Sequence, residues 1–444
     1  MDEGQLPSAF LRELEGLLDQ DSRQEYLRSF DKPPRRCAWS SEDLSFQFER
    51  CEWSQFAWRI PVDFAVIEDP LWHAGVYSCQ DAAAMAPVND LLPHGPFQRI
   101  LDLCAAPGGK SFQLLQALGI NGLLVSNEVI QSRARILLQN LERSGAKNSL
   151  ITSMDPEKLS SHFPESFDCV VVDAPCSGEG MFRKYPQTRE EYSEQSVTHC
   201  AARQKRILSA AIDCLVGGGI LLYSTCTYNR SENEEVLDQF SQEMDLLDSK
   251  RLWPHEFEGE GQCYFLLRKK GDLPYFFRET NPANSGESEK EMNSFGLENF
   301  LTQDSIQKLR QMGTFQKKGK LISFVPSSLK SLSGQLKKGV VRAFVPIIEI
   351  LEGRKRQEKI PHHALSHLLN KGSEFKSFIS LNQREALYYL KGESIRIDST
   401  LENGFAAVSY NGFVLGWGKY HQQSGVLKNH YPKGLRIQKT LKFE

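Results

Sequence analysis

Apolar residues near the start of the chain recur every three to four positions, at Phe10, Leu14, Leu17 and Leu18, which predicts one or two helices over 5–30. Lys32-Pro33-Pro34 ends them, because proline lacks an amide hydrogen and pushes the residue before it out of the helical region. A short mixed stretch follows as far as Pro96. From Phe97 the pattern changes: short apolar runs alternate with stretches of helical period. The runs at 99–103, 122–127, 150–152, 167–172 and 219–224 predict strands. The stretches at 111–118, 132–144, 198–214 and 232–240 predict helices, the first with Phe112, Leu115 and Leu118 on its buried side. Continuous apolar runs, without clean alternation, belong to strands covered on both faces, so the expected fold is α/β, a parallel doubly wound sheet with helices on both sides. Such sheets bind ligands beyond the carboxyl ends of their strands, near the point where strand order reverses. Asp102, Glu128, Asp155, Asp173 and Cys226 all fall at or just past those ends.

Residues 269–299 are rich in Gly, Asn, Ser and Glu and predict a linker. Beyond it, strands are expected at 321–325, 405–410 and 413–417, the last two divided by the turn pair Asn411-Gly412, in a small and partly β region. The first 18 residues mix charges with apolar positions, and no stretch approaches ~20 uninterrupted apolar residues, so the chain is expected to stay in the cytoplasm. Ten cysteines occur without paired CxxC spacing, which points away from a disulfide framework or a structural metal. The net charge of -3 conceals an asymmetry, since residues 301–444 hold 24 Lys plus Arg against 10 Asp plus Glu, a net of +14, leaving -17 on the rest. A basic end of this kind can face a phosphate backbone or be an ordinary solvated surface.

The segment Leu103-Cys104-Ala105-Ala106-Pro107-Gly108-Gly109-Lys110 follows a strand and opens a helix. Two glycines allow close backbone approach and the helix start offers free amides, which suits a cofactor loop, although a simple tight turn would read the same way. It has neither phosphate-loop nor dinucleotide spacing. Glu128, 20 residues after Gly108, stands where a carboxylate accepts hydrogen bonds from a ribose diol, and Asp155 can accept from an adenine amine; either can equally be a cap or a surface acid. Cys176 in Asp173-Ala174-Pro175-Cys176-Ser177-Gly178-Glu179-Gly180 and Cys226 in Ser224-Thr225-Cys226-Thr227-Tyr228 both follow apolar strands directly. They can present a nucleophile and a proton acceptor to one substrate, or be two buried thiols near a sheet edge.

Together, the runs 102–110 and 173–184, Asn127-Glu128 with Arg133, and Thr225-Cys226-Thr227 closely resemble the motifs of the NOL1/NOP2/Sun family of RNA cytosine-5 methyltransferases. The likeness covers about 75–265. Asn411-Gly412, Gly416-Trp417-Gly418-Lys419 and the run 429–436 are similar to the PUA-related C-terminal region of bacterial 16S ribosomal RNA members. Residues 31–60 depart from the pattern, with Arg36-Cys37-Ala38-Trp39 where members often carry Arg-Val-Asn.

The resemblance implies a Rossmann-like S-adenosylmethionine-dependent methyltransferase sheet at 96–270, a small α+β region at 1–95, a linker at 271–299 and an RNA-binding, PUA-like region within 300–444. It implies methylation of cytosine C5, with Cys226 adding to C6, Cys176 removing the C5 proton, Asp173 on the N3 and N4 edge of the base, and Lys110 and Lys184 nearby. Cys104, Ala105, Ala106, Pro107, Gly108, Gly109, Lys110, Glu128, Arg133, Asp155 and Asp173 would line the cofactor site, and Lys184, Lys419, Lys433 and Arg436 would meet RNA. The implied partner is 16S ribosomal RNA or the 30S subunit, with no metal, no membrane and a monomeric enzyme. A transfer RNA methyltransferase and a non-catalytic ribosome-assembly protein are the alternatives.

Overall fold

The computed structural model describes residues 6–274, 295–332, 339–352 and 357–438; most of the expected linker lies outside them. Eight strands form the main sheet: β1 (Phe97–Asp102), β2 (Leu118–Asn127), β3 (Ser149–Thr152), β4 (Phe167–Asp173), β5 (Leu215–Thr225), β6 (Met244–Leu252), β7 (Gln262–Lys269) and β8 (Val340–Arg342). Their spatial order is β6-β7-β5-β4-β1-β2-β3-β8. The pairs β1–β2, β2–β3, β1–β4 and β4–β5 are parallel. Antiparallel β7 and β6 extend one edge, and β8 closes the other. The chain winds outward from β1 through β3, then returns to lay β4 on the opposite side of β1. Order therefore reverses between β1 and β4, whose last residues are Asp102 and Asp173.

The central strands are buried throughout, as Ile100, Leu101, Val170, Val171, Leu221 and Leu222 illustrate. Helix Gln131–Arg143 presses Ala134, Leu137 and Leu141 onto this sheet. Helix Glu194–Cys214 begins at a capping box between Ser193 and Ser196 and buries Ile207, Leu208, Ala211 and Ile212. Leu118 departs from the expected helix: that helix spans Gly109–Leu114, and Leu118 instead starts β2, paired with Phe97. The expected helix at 232–240 shrinks to Glu234–Leu237 and a 3-10 turn.

Two N-terminal helices, Ser8–Leu17 and Gln20–Ser29, join a cluster in which Phe10 and Tyr26 pack with Phe182, Tyr228 and Trp253. Phe182 and Tyr228 each follow one of the cysteine loops, so this cluster braces both. A separate sheet holds Arg36–Trp39, Glu49–Arg50, Ala57–Ile60 and Ser78–Asp81. The C-terminal portion contains a four-stranded antiparallel sheet spanning 313–361 and a five-stranded sheet spanning 378–429. Within the latter, Gly404–Tyr410 and Phe413–His421 form the expected hairpin, with Asn411 and Gly412 at φ +48° and +81°. Positive φ at both central residues is what a two-residue hairpin turn requires.

Candidate active site at the strand-order switch

Above the β1–β4 junction a cavity of about 570 Å³ is lined by Cys104, Ala106, Glu128, Arg133, Asp155, Asp173, Cys176 and Cys226, with Val129, Ile130, Pro156 and Ile207 as apolar walls. A second, of about 660 Å³, shares Cys104, Ala106, Arg133, Asp173 and Cys226 with it. Ala105, Pro107, Gly108, Gly109, Lys110 and Lys184 also line the second cavity. The two lobes thus meet at Asp173 and Cys226. Each volume falls within the roughly 300–1,000 Å³ of small-molecule sites.

In the first lobe the buried carboxylate of Glu128 accepts from the amide of Ile130 at 2.9 Å and pairs with Arg133 at 3.2 Å. Arg133 also donates to the Ala106 carbonyl at 2.9 Å, joining the end of β2 to the 103–110 loop. Asn127 donates to the carbonyls of Leu103 and Met154 and ties the loops after β1 and β3 together. Asp155 both faces the cavity and caps helix Pro156–His162 by accepting from the Glu157 amide at 3.1 Å. Asp102 is wholly buried and accepts from Ser111 Oγ at 2.6 Å, while its Oδ1 has no partner. Burial, reinforced by the charges of Asp173 and Glu128, pushes its carboxyl up to about 7. Three carboxylates, of Glu128, Asp155 and Asp173, facing one cavity with apolar walls suit an adenosine-bearing, positively charged cofactor.

The glycine pair, besides lining the second cavity, leaves room for neighbouring side chains. Gly108 sits at φ +111°, and a Cβ there would lie 3.0 Å from Leu137 Cδ1. A Cβ on Gly109 would collide with the side-chain oxygen of Gln80. The missing side chains allow protein elements to close on each other around the loop.

The Sγ atoms of Cys176 and Cys226 stand 3.2 Å apart where the lobes meet. Lys110, only 5% exposed, bonds Asp173 Oδ2 at 2.9 Å. Ser224 donates to Asp173 Oδ1 at 2.7 Å, which fixes the carboxylate at the end of β4. The hydrogen bond to Cys226, burial and the nearby charge of Glu232 push the Cys176 thiol well above its ordinary value.

Two fully buried glutamates, Glu179 within the Cys176 motif and Glu232 outside any motif, lock the loops. Glu179 accepts from the amides of Tyr228 and Asn229 at 2.7 and 2.9 Å, from Asn229 Nδ2 at 2.9 Å and from Tyr192 OH at 2.8 Å. Glu232 accepts from the Ser177 amide, Gln204 and Asn229 at 2.8–2.9 Å. Each carboxylate thereby bridges the Cys176 loop to the Cys226 loop. A charged residue inside a glycine-rich turn, as in Gly178-Glu179-Gly180, was the available signal.

Of the residues expected to meet RNA, Lys184 lines the second cavity. Lys419 pairs with Glu358 at 2.8 Å, and Lys433 is exposed on a 3-10 turn. Arg436 lines a third cavity behind the second. Elsewhere, Cys37 and Cys51 place their sulfurs 3.6 Å apart beside Glu258, a grouping able to ligate a cation, but Arg59 already holds that carboxylate at 2.8 Å. Among the described residues no helix is long and apolar enough to cross a membrane.

Residues 90–265 match the family model described as 16S rRNA methyltransferase RsmB/F, and residues 376–437 match that of the methyltransferase RsmF PUA domain. These segments are an RsmB/F-family methyltransferase domain and an RsmF-type PUA domain. Proteins of this family use S-adenosylmethionine. The chain is 29% identical over 402 residues to ribosomal RNA small subunit methyltransferase F of Vibrio vulnificus strain YJ016, covering 83% of this chain and 80% of that one. With the protein of the same name from Vibrio campbellii it is 26% identical over 492 residues, 98% of each chain. A similar fold is seen in the crystal structure of PH0851, at TM-score 0.56 and 24% identity over 60% of this chain and 66% of that one. NSun6 from Pyrococcus horikoshii, solved with the S-adenosylmethionine analogue SFG, gives TM-score 0.52 and 19% identity over 60% of this chain and 99% of that one. At these identities the two structures speak for the fold.

Proposed function

We propose that this protein methylates carbon 5 of a cytosine in 16S ribosomal RNA, through a covalent bond between Cys226 and C6 of the base. The observation that carries the reading is the pair of thiols 3.2 Å apart where two cavities join, beside the Lys110–Asp173 pair. The relatives' shared name supports the choice of ribosomal RNA over transfer RNA. A binding-only assembly protein would have no use for paired thiols at a ligand cavity.

S-Adenosylmethionine supplies the methyl group, and Glu128, Asp155 and the apolar walls of the first lobe are the residues to hold it. The target base enters the second lobe. Cytosine C5 is a poor nucleophile until Cys226, as thiolate, adds to C6 and pushes electron density onto C5. Asp173, fixed by Lys110 and Ser224, accepts from the base's amino edge and stabilises the altered ring. Cys176 stays a thiol while Cys226 beside it is negative, because two thiolates in contact repel. Once the Cys226 sulfur is bonded to carbon, that penalty vanishes. Cys176 can then lose its proton to water and take the C5 proton, whose electron pair expels Cys226.

We assign 1–95 and 96–270 to the N-terminal and catalytic portions, 271–299 to a linker and 300–444 to RNA docking, in a cytoplasmic, metal-free monomer. Bisulfite sequencing of 16S RNA from cells with and without the gene tests the substrate. A single cytosine that loses protection in the deletion strain is expected; an unchanged 16S profile would refute it.

A further inference from the structure

Behind the second lobe lies a cavity of about 590 Å³ between helix Gln131–Arg143, helix His363–Leu368 and the segment 431–437. It shares Trp72, Asn140 and Arg143 with the lobe that reaches Cys226, so the two are consecutive along one surface path. Segment 431–437 closes the RsmF-type PUA domain. The cavity therefore joins that domain to the catalytic centre.

Its charge is unbalanced. The Arg143 guanidinium lies 3.8 Å over the Trp72 ring, and among the described residues no carboxylate pairs with it. Burial draws its pKa down to about 10, with only Tyr431 and Tyr77 favouring the charged form. Arg436 donates from Nη2 to the Tyr431 carbonyl at 3.4 Å while its Nε is buried without a partner, as is Nδ1 of the half-buried His363. The one acid in the wall, Glu142, is engaged by Arg342 at 3.5 Å. A half-buried cation without a counter-ion is costly unless a ligand brings the negative charge. Guanidinium forks match phosphate oxygens in shape as well as charge.

We propose that this cavity seats a phosphodiester of the substrate RNA a short distance along the strand from the target cytosine, with Arg143 and Arg436 as its cationic ligands. The proposal rests on the RNA-substrate reading above. A strand whose base occupies the lobe at Cys226 must leave that lobe, and the shared wall at Trp72, Asn140 and Arg143 leads it here. Seating one phosphate between the PUA domain and the sheet would set the register that brings one base to the thiols.

The test compares wild type with Arg143→Gln and Arg436→Gln in binding a short RNA containing the modified 16S site, across a salt series. Each variant is expected to bind about tenfold more weakly at low salt and to lower the slope of log affinity against log salt by about 0.7–0.9, one phosphate contact. Arg143→Lys should restore the slope. Unchanged affinity and slope in both folded Gln variants would overturn the proposal. Inorganic phosphate that raises the wild-type melting temperature but not that of Arg143→Gln, with RNA binding equal, would give the cavity to a small free anion and also overturn it. Should the variants fail to fold, photocrosslinking of 4-thiouridine-bearing RNA to wild type decides: crosslinks to Trp72 or Tyr431 are expected, and crosslinks confined elsewhere refute the seat. Wild-type methylation of the same RNA is scored in parallel, so a wrong substrate appears as absent methylation and a wrong seat as unchanged binding by the variants.

Discussion

Glu179 shows how much of this site depends on one carboxylate. Its two oxygens accept four hydrogen bonds, two of them from backbone amides of the Cys226 loop, although the residue belongs to the Cys176 loop. Every neighbour is a donor, so the site demands an acceptor-only group. Glutamine is nearly isosteric but must turn an NH₂ toward donors, leaving at least one buried group unpaired. Glu179→Gln should therefore lower stability by about 1–3 kcal/mol, read as an earlier denaturation midpoint. An unchanged midpoint would mean that the loops are held by the aromatic cluster of Phe10, Tyr26, Phe182 and Tyr228 alone. Because the thiols are 3.2 Å apart, even a small loosening of either loop would separate them.

At the scale of elements, β8 is the least expected strand. It comes from the C-terminal half yet pairs antiparallel with β3, and its Arg342 reaches Glu142 at 3.5 Å and the Ala146 carbonyl at 3.3 Å. The C-terminal portion is thus stitched into the catalytic sheet, and cutting the chain near residue 300 would expose the β3 edge. Arg342→Ala should destabilise the protein by roughly 1–3 kcal/mol, because buried acceptors lose their donor; a melting curve superimposable on wild type would show that β8 is held by its backbone pairing alone. The sequence made the parallel strands legible because both faces are buried and their apolar runs are continuous, as in Val170-Val171-Val172. It hid β8, because a three-residue edge strand has no period to read. It misplaced Leu118, because Leu115 and Leu118 have helical spacing while pairing with Phe97 decides the matter. Asp173, Cys176 and Cys226 stand out in the sequence by following apolar strands, and Lys110 by its place in the glycine loop and the family resemblance. Their convergence at one junction is a tertiary fact, as are the bridges of Glu179 and Glu232.

Across the whole molecule, the net +14 of residues 301–444 lies on the portion that includes the PUA domain, against -17 on the remainder. This polarity suits an enzyme that docks a phosphate backbone at one end while its acidic catalytic half receives a cationic cofactor. Between them, the two thiols stand at the join of the lobes, and their order of action is the central claim. The most direct measurement incubates wild type, Cys226→Ala and Cys176→Ala with 16S target RNA and S-adenosylmethionine, then separates the products on a denaturing gel. Cys176→Ala should accumulate a denaturant-resistant protein–RNA adduct, because addition and transfer proceed while release is blocked, and Cys226→Ala should give neither adduct nor methylation. An adduct with Cys226→Ala and none with Cys176→Ala would reverse the roles and contradict the account.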